Sequence, residues 1–492
     1  MEFLPAFDEV QKIAATGEYD VLPVSSEILS DFITPIEAVK RLKNVSEHCY
    51  MLESAQADET WGRYTFLGFD PTMEITCADG VVQTSLKNGE RSEKDADPSD
   101  YLRAVLRDYR SPRFDYLPPF TGGLVGYFSF EYFGYSEPSV RTDVEDTEVF
   151  KDADLMLFDK VIAFDNVRQK IILIANMKID NVEENYNKAI NDIQELAALL
   201  RTGEPKNEPS GRLLGPVTTL FNKTQFCGMV ERAKNYIREG DIFQIVLSNR
   251  LSAPFEGSLL NTYRVLRTIN PSPYMFYFSG TDVEVAGASP ETLVKLENGV
   301  LQTFPLAGTR PRGKTDEEDK QLEVELLADE KELAEHNMLV DLGRNDLGKI
   351  SKFGTVTVEK LRSILRFSHV MHIGSTVKSE IKDECDAFDA IEAVLPAGTL
   401  SGAPKIRACQ LIGELENNKR GIYGGAIGYI DFSGNMDTCI AIRIAYKKND
   451  TVFVRSGAGI VADSIPEKEF EECINKAKSS LKALELAQEE DL

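Results

Sequence analysis

Apolar residues recur at helical spacing over residues 36–42 and 182–200, and another helical pattern starts near Lys223. Short runs of alternating or continuous apolar character fall at 64–68, 125–130, 171–175, 243–247, 293–296 and 452–454. The first pattern predicts helices and the second predicts strands. Thr34, Pro35 and Glu37 form a capping box with proline at the first helical position. Ser464 and Glu467 form a second box, ahead of an apolar stripe at Phe470, Ile474, Ala477 and Leu481. Strands and helices do not alternate strictly, which predicts an α+β architecture rather than a doubly wound parallel sheet. Gly, Pro and charge crowd the run LRTGEPKNEPSGRLLGPV. That run predicts an N-terminal region over 1–200, a linker or crossing loop over 201–217 and a C-terminal region over 218–492.

Composition narrows the partners. The 492 residues carry 55 Lys plus Arg against 80 Asp plus Glu, a formal charge of −25. A surface this acidic repels polyanions, so nucleic acid and anionic membrane are excluded as expected partners. An anionic small substrate needs a local site where metal or buried cations outweigh the surrounding field. No stretch reaches the ~18 consecutive apolar residues of a membrane span. The first residues, MEFLPAFDEV, lack the basic start and apolar run of a signal peptide. Seven scattered cysteines without C-x-x-C spacing fit a reducing compartment, and a cytoplasmic location is the expectation.

Two Glu-x-x-Glu steps stand out, Glu332 with Glu335 and Glu469 with Glu472, each pair one helical turn apart and the second continued by Lys476. Facing each other, the pairs make an all-oxygen cage for a hard divalent cation, which points to Mg2+; apart, they are solvated helix faces. Gly457 and Gly459, after a predicted strand and before a helix, either admit an anion to backbone N–H groups or form a plain turn. The loop PAGTLSGAPK, residues 396–405, presents Thr399 ahead of a helix. Arg443 lies in the apolar run CIAIRIAY and needs a carboxylate, from the protein or from a substrate. His369 and His372 lack a third zinc ligand, leaving catalytic or core roles. The basic loop GTRPRGK, residues 308–314, lacks the flanks of a P-loop, and no hydrolase elbow or dinucleotide fingerprint is present.

Taken in order, GDIFQIVLS, NPSPYMFYF, GASPETL, PLAGTRPRG, AEHNMLVDLGRND, SHVMH, AGTLSGAPK, GIYGGAIGY, AIRIAY and GAGIVADS resemble the chorismate-utilising enzymes, most closely the large components of anthranilate synthases. The resemblance implies an anthranilate synthase-like fold, antiparallel sheets forming a sandwich core flanked by helices. It implies direct Mg2+ ligation by Glu335 and Glu472, supported by Glu332 and Glu469. Arg443, Tyr423 and the backbone of Gly457, Ala458 and Gly459 would hold the enolpyruvyl carboxylate, with Lys476 and Thr399 near the two anionic ends and Gln244, Ala307, Gly308 and Thr309 also against the substrate. Glu291 would protonate the departing ring hydroxyl, and His372 would assist the later elimination. Ammonia would add at ring C2, and loss of pyruvate would leave anthranilate.

Two positions discriminate within the family. Gln244 stands where water-adding relatives carry a base, and Ala307 where aminodeoxychorismate synthases carry a nucleophilic lysine, so ortho-amination is favoured over that runner-up. The chain has no glutaminase motif, which implies a glutamine amidotransferase partner and a hetero-oligomer. Leu52, Glu53 and Ser54 with Asn270, Pro271, Pro273, Tyr274, Met275 and Phe276 resemble the family's tryptophan feedback pocket, with Glu53 pairing the ligand ammonium. Trp61 reads as a packing residue.

Overall fold

The computed structural model describes residues 1–55, 62–141, 144–366 and 370–488. Trp61 and His369 lie outside them. The strands form two sheets, of 13 and 12 strands, and every pairing between strands is antiparallel. In the first sheet Val21–Leu29, Lys170–Lys178, Lys160–Asp165, Tyr64–Phe69 and Cys49–Glu53 run into Tyr274–Ser279, Glu284–Ser289, Ile444–Lys448, Thr451–Ile460 and Gln244–Glu256. In the second, Leu306–Pro311, Val370–Glu380, Thr292–Glu297, Met436–Ile440 and Ala426–Asp431 join Gly123–Phe128, Ala153–Phe158 and Met73–Ala78. Residues 201–217 therefore divide the sequence but not the sheets, to both of which the two regions contribute. Within that segment Arg212–Leu213 pairs with the end of the Gln244–Glu256 strand, and Glu208 pairs with buried Lys43 at 2.7 Å.

Period-two alternation builds the layers. Tyr50, Phe66, Val125, Tyr127, Met156, Phe276 and Ile427 point between the sheets and fill the sandwich. Their neighbours point outward onto helices, Pro35–Lys43, Val182–Thr202 and Leu260–Ile269 on the first sheet and Pro98–Arg107, Glu330–Gly348 and Ala387–Val394 on the second. Half of the Thr34 box forms: the Thr34 hydroxyl accepts from the Glu37 N–H at 3.3 Å. The Ser464 box does not form. Pro466 starts that helix, Pro466–Leu486, and the Ser464 hydroxyl accepts from the Val461 N–H at 3.1 Å instead.

Two neighbouring chain segments change sheets at one place. Glu284–Ser289 belongs to the first sheet and Thr292–Glu297 to the second, so Pro290 and Glu291 make the crossing; Met436–Ile440 and Ile444–Lys448 cross the other way through 441–443. The apolar run around Arg443 is thus not one strand: it breaks at Arg443, whose φ is 54°. The crossings are stitched by Ile440 N–H donating to Glu291 carbonyl at 3.0 Å, Ala288 N–H to Arg443 carbonyl at 3.2 Å and the Ser289 hydroxyl to Ile440 carbonyl at 2.7 Å.

Beneath this seam Glu416, Arg420 and Arg455 form a fully buried network. Arg420 donates to the carbonyls of Leu400 and Val246, both at 2.7 Å, and Arg455 to the Ser248 hydroxyl at 2.9 Å. Burial alone would raise the Glu416 carboxyl, yet the two guanidiniums outweigh it and hold it below the ordinary carboxylate range. Removing one member leaves an uncompensated charge, so Glu416→Ala should lower stability by about 3–5 kcal/mol, read from denaturant unfolding. A loss under about 1 kcal/mol would contradict this account of the network.

Candidate active site

At the sheet seam lies a cavity of about 610 Å³. Its walls carry Glu291, His372 and Thr399; Gln244, Ala307, Gly308, Thr309, Tyr423, Arg443, Gly457, Gly459 and Lys476; and Glu332, Glu335, Glu469 and Glu472. All the expected catalytic, substrate and metal positions thus meet there except Ala458, whose methyl packs into the core with Phe226 and Ala408. Alternation explains the exception: its flanking glycines face the cavity, so Ala458 faces away.

The acids come from two helices. Asp329 caps Glu330–Gly348 by accepting from the N–H groups of Lys331 and Glu332, which directs Glu332 and Glu335 along the cavity. Pro466–Leu486 brings Glu469, Glu472 and Lys476 to the opposite wall, its other side packing Ala477 and Ile474 into the core. Desolvation raises the Glu335 pKa, followed by the like charges of Glu332 and Glu472, so the two helices are within electrostatic reach of each other. Glu469 is raised by burial and then by Glu472, against a hydrogen bond with Ser464. Arg310 binds Glu332 at 3.3 Å and Lys476 binds Glu472 at 2.7 Å. Among the described residues no three acids, histidines or cysteines are gathered closely enough to hold a metal. The donor set nonetheless fits a hard divalent cation: its atoms are all oxygen, and Glu335 has no hydrogen-bond or ion-pair partner among the described residues.

Glu291 occupies the crossing, half-buried, and desolvation there pushes its pKa up to about 8 against a hydrogen bond from the Thr399 hydroxyl at 3.1 Å. It holds a proton at neutral pH and can donate it. Thr399 sits in the short turn Gly398–Leu400, which is anchored from below by the Arg420 contact to Leu400. Burial lowers the His372 pKa, opposed by a hydrogen bond to the Gly308 carbonyl. His372 Nδ1 lies 3.0 Å from that oxygen, a pure acceptor, so Nδ1 carries the proton and the lone pair resides on Nε2.

Arg443 answers the question its sequence posed. It has no carboxylate partner among the described residues; its Nη1 donates to the Lys476 carbonyl at 2.8 Å, and burial depresses its pKa. A half-buried guanidinium without an acid of its own is an anion site. Beside it, Gly457 and Gly459 lie inside the strand Thr451–Ile460 rather than in a turn after it. On one edge that strand pairs fully with Gln244–Glu256, whereas on the other the pairing with Ile444–Lys448 stops at Phe453. A Cβ on Gly457 would stand 2.7 Å from the Leu247 carbonyl oxygen and 3.0 Å from the Tyr423 hydroxyl, so the sequence needs glycine for close packing.

A second cavity, about 350 Å³, opens between the sheets and is lined by Leu52, Glu53, Ser54, Pro273, Tyr274, Met275 and Phe276. Asn270 and Pro271 are not part of its lining, a correction to the expected set: they lie before the strand that forms the wall. Glu53 lines this cavity with a carboxylate that already has partners: Arg267 binds it at 2.6 Å and the Tyr263 hydroxyl donates to it. The polar side of the cavity is also built by Lys295, Glu297 and Asp437, with the Tyr274 hydroxyl 2.8 Å from Asp437. Lys331, Ser464, Arg455 and Ser456 line the first cavity without having been anticipated. A buried arginine carries no distinguishing sequence signal beyond its strand.

Residues 47–482 match the family model described as chorismate binding enzyme. The chain is 44% identical to anthranilate synthase component 1 of Acetivibrio thermocellus and 43% identical to that of Aquifex aeolicus, over 99% and 98% of both chains. Its structure matches that of anthranilate synthase component I from Streptococcus pneumoniae with a TM-score of 0.77 at 39% identity, over 92% of this chain and 98% of the other. The menaquinone-specific isochorismate synthase MenF of Escherichia coli shares the fold at a TM-score of 0.70 and 19% identity, over 97% of this chain and 99% of that one. The chain belongs to the chorismate-binding enzymes, alongside the component 1 proteins of anthranilate synthases.

Proposed function

We propose that this enzyme converts chorismate and ammonia to anthranilate and pyruvate in the cavity at the sheet seam. The observation that carries the reading is the meeting of a proton-holding Glu291, an acid-free Arg443 and two pairs of glutamates on one wall set. Arg443, with Tyr423 and the open strand edge at Gly457 and Gly459, binds the enolpyruvyl carboxylate. Glu335 and Glu472, with Glu332 and Glu469 beside them, would hold Mg2+, whose contribution when bound is to offset the ring carboxylate.

Glu291, seated by Thr399, gives its proton to the ring hydroxyl as ammonia adds at C2, so the group leaves as water. The neutral imidazole of His372 then serves as a base in the elimination that releases pyruvate and makes the ring aromatic. Gln244 is a buried neutral amide on the wall, where no base is required because ammonia is already a nucleophile. Ala307 offers no amine to form a covalent intermediate.

Ammonia would come from a glutamine amidotransferase partner, as the words component 1 in the relatives' names suggest. Tryptophan would inhibit by entering the cavity between the sheets, its ammonium meeting the acids on the lining, Glu53, Glu297 and Asp437. A cytoplasmic setting agrees with seven unpaired cysteines.

Incubation of the purified chain with chorismate, Mg2+ and ammonium should yield the fluorescent product anthranilate; a hydroxylated or para-aminated product would refute the reading. At fixed free ammonia, kcat/KM for chorismate should fall as pH rises through about 8, because Glu291 loses the proton it must donate. Glu291→Gln should cost about 10²–10⁴-fold in kcat and remove that alkaline limb; a limb that persists in the variant assigns the titration elsewhere. Millimolar tryptophan should depress the wild-type rate, and a rate that does not move excludes the inter-sheet cavity as a feedback site.

A further inference from the structure

The arginines of the basic loop 308–314 serve neither the substrate reading nor a phosphate motif, and the structure gives them specific partners. Arg312 lies 2.6 Å from Asp319, on the helix Asp316–Ala328, away from the cavity. Arg310 follows the cavity-lining residues Ala307, Gly308 and Thr309 on the strand Leu306–Pro311 and reaches two acids on the next helix. Its Nη2 binds Asp329 Oδ2 at 2.8 Å, and its Nη1 binds Glu332 Oε1 at the longer distance of 3.3 Å.

We propose that Arg310 is an internal counter-ion for the metal-binding acids: it holds Glu332 while no divalent cation is bound, gives Glu332 up when one arrives, and thereby sets how tightly the site takes Mg2+. The inference rests on the reading that these glutamates hold the metal. Four carboxylates facing one cavity repel each other, and a guanidinium on one of them relieves that repulsion when no cation is present. Arg310 has a place to stay when it lets go, because Asp329 uses Oδ1 to cap its own helix and offers Oδ2 to the guanidinium. Lys476 does the same for Glu472 through an i,i+4 contact whose side chains are 40% and 49% exposed, a pairing that water and a divalent ion readily displace.

The test is Mg2+ binding by calorimetry, without substrate, to the full-length chain. Arg310→Met removes both the competition and a positive charge near a divalent ion, so Mg2+ should bind roughly tenfold more tightly, an effect that shrinks at high salt. Arg312→Met removes the same charge away from the cavity and should leave the affinity near that of wild type, as should Arg310→Lys, which keeps the charge. Arg310→Gln repeats the experiment with a polar side chain in case the methionine variant fails to fold, and thermal melts confirm folding in each. Equal or weaker Mg2+ binding in the neutral variants Arg310→Met and Arg310→Gln, or equal tightening by Arg312→Met, overturns the counter-ion. A wild type that binds Mg2+ no better than Glu335→Gln overturns the metal reading itself, and the counter-ion with it.

Discussion

Charge compensation in one confined space governs this molecule's active region. A chain with a formal charge of −25 must receive an anionic substrate, and the cavity proposed for it is lined by five glutamates, Glu291 among them. These carboxylates are not all handled alike. Glu291 is kept protonated by desolvation, Glu332 and Glu472 are matched by Arg310 and Lys476, and Glu335 is left without a direct partner among the described residues. Arg443 reverses the arrangement, a cation without an acid among the described residues. What the protein leaves uncompensated is the imprint of the charges it receives.

The sandwich is what lets these groups meet. Glu291 and Arg443 lie in crossings between sheets, where a strand ends on one layer and restarts on the other, and hydrogen bonds between the crossings fix the acid and the guanidinium in one frame. The Glu416–Arg420–Arg455 network then ties the wall strand Gln244–Glu256, the turn bearing Thr399 and the strand bearing Gly457 and Gly459 into a single unit. In an open sheet the same residues would be strung along edges with nothing to exclude water from Glu291.

Much of this was legible in the chain, for identifiable reasons. The one-turn spacing of the glutamates states which acids share a helix face, and the Thr34 cap and the helical periods before residue 200 are local signals that tertiary contacts did not override. Convergence of the two helices is a long-range fact that spacing does not contain; only the order of the motifs, through resemblance, suggested it. The misreadings are also local in origin. Ser464 satisfied a capping pattern but found a closer donor in Val461, and the apolar run around Arg443 concealed a sheet crossing because both halves are strands. Glu53 reaches the cavity it was expected to line, but its contact with Arg267 left no sequence signal. Arg310 was missed because its partners, Asp329 and Glu332, are distant enough in sequence to leave no pattern.

The central claim is that two remote helices share one cation. Soaking Mn2+ into crystals of the chain and locating it by anomalous scattering examines that claim most directly. The account predicts a single strong peak coordinated by both Glu335 and Glu472, with Glu332 released from Arg310. A peak bound by one helix alone, or no peak in this cavity at saturating Mn2+, would contradict it.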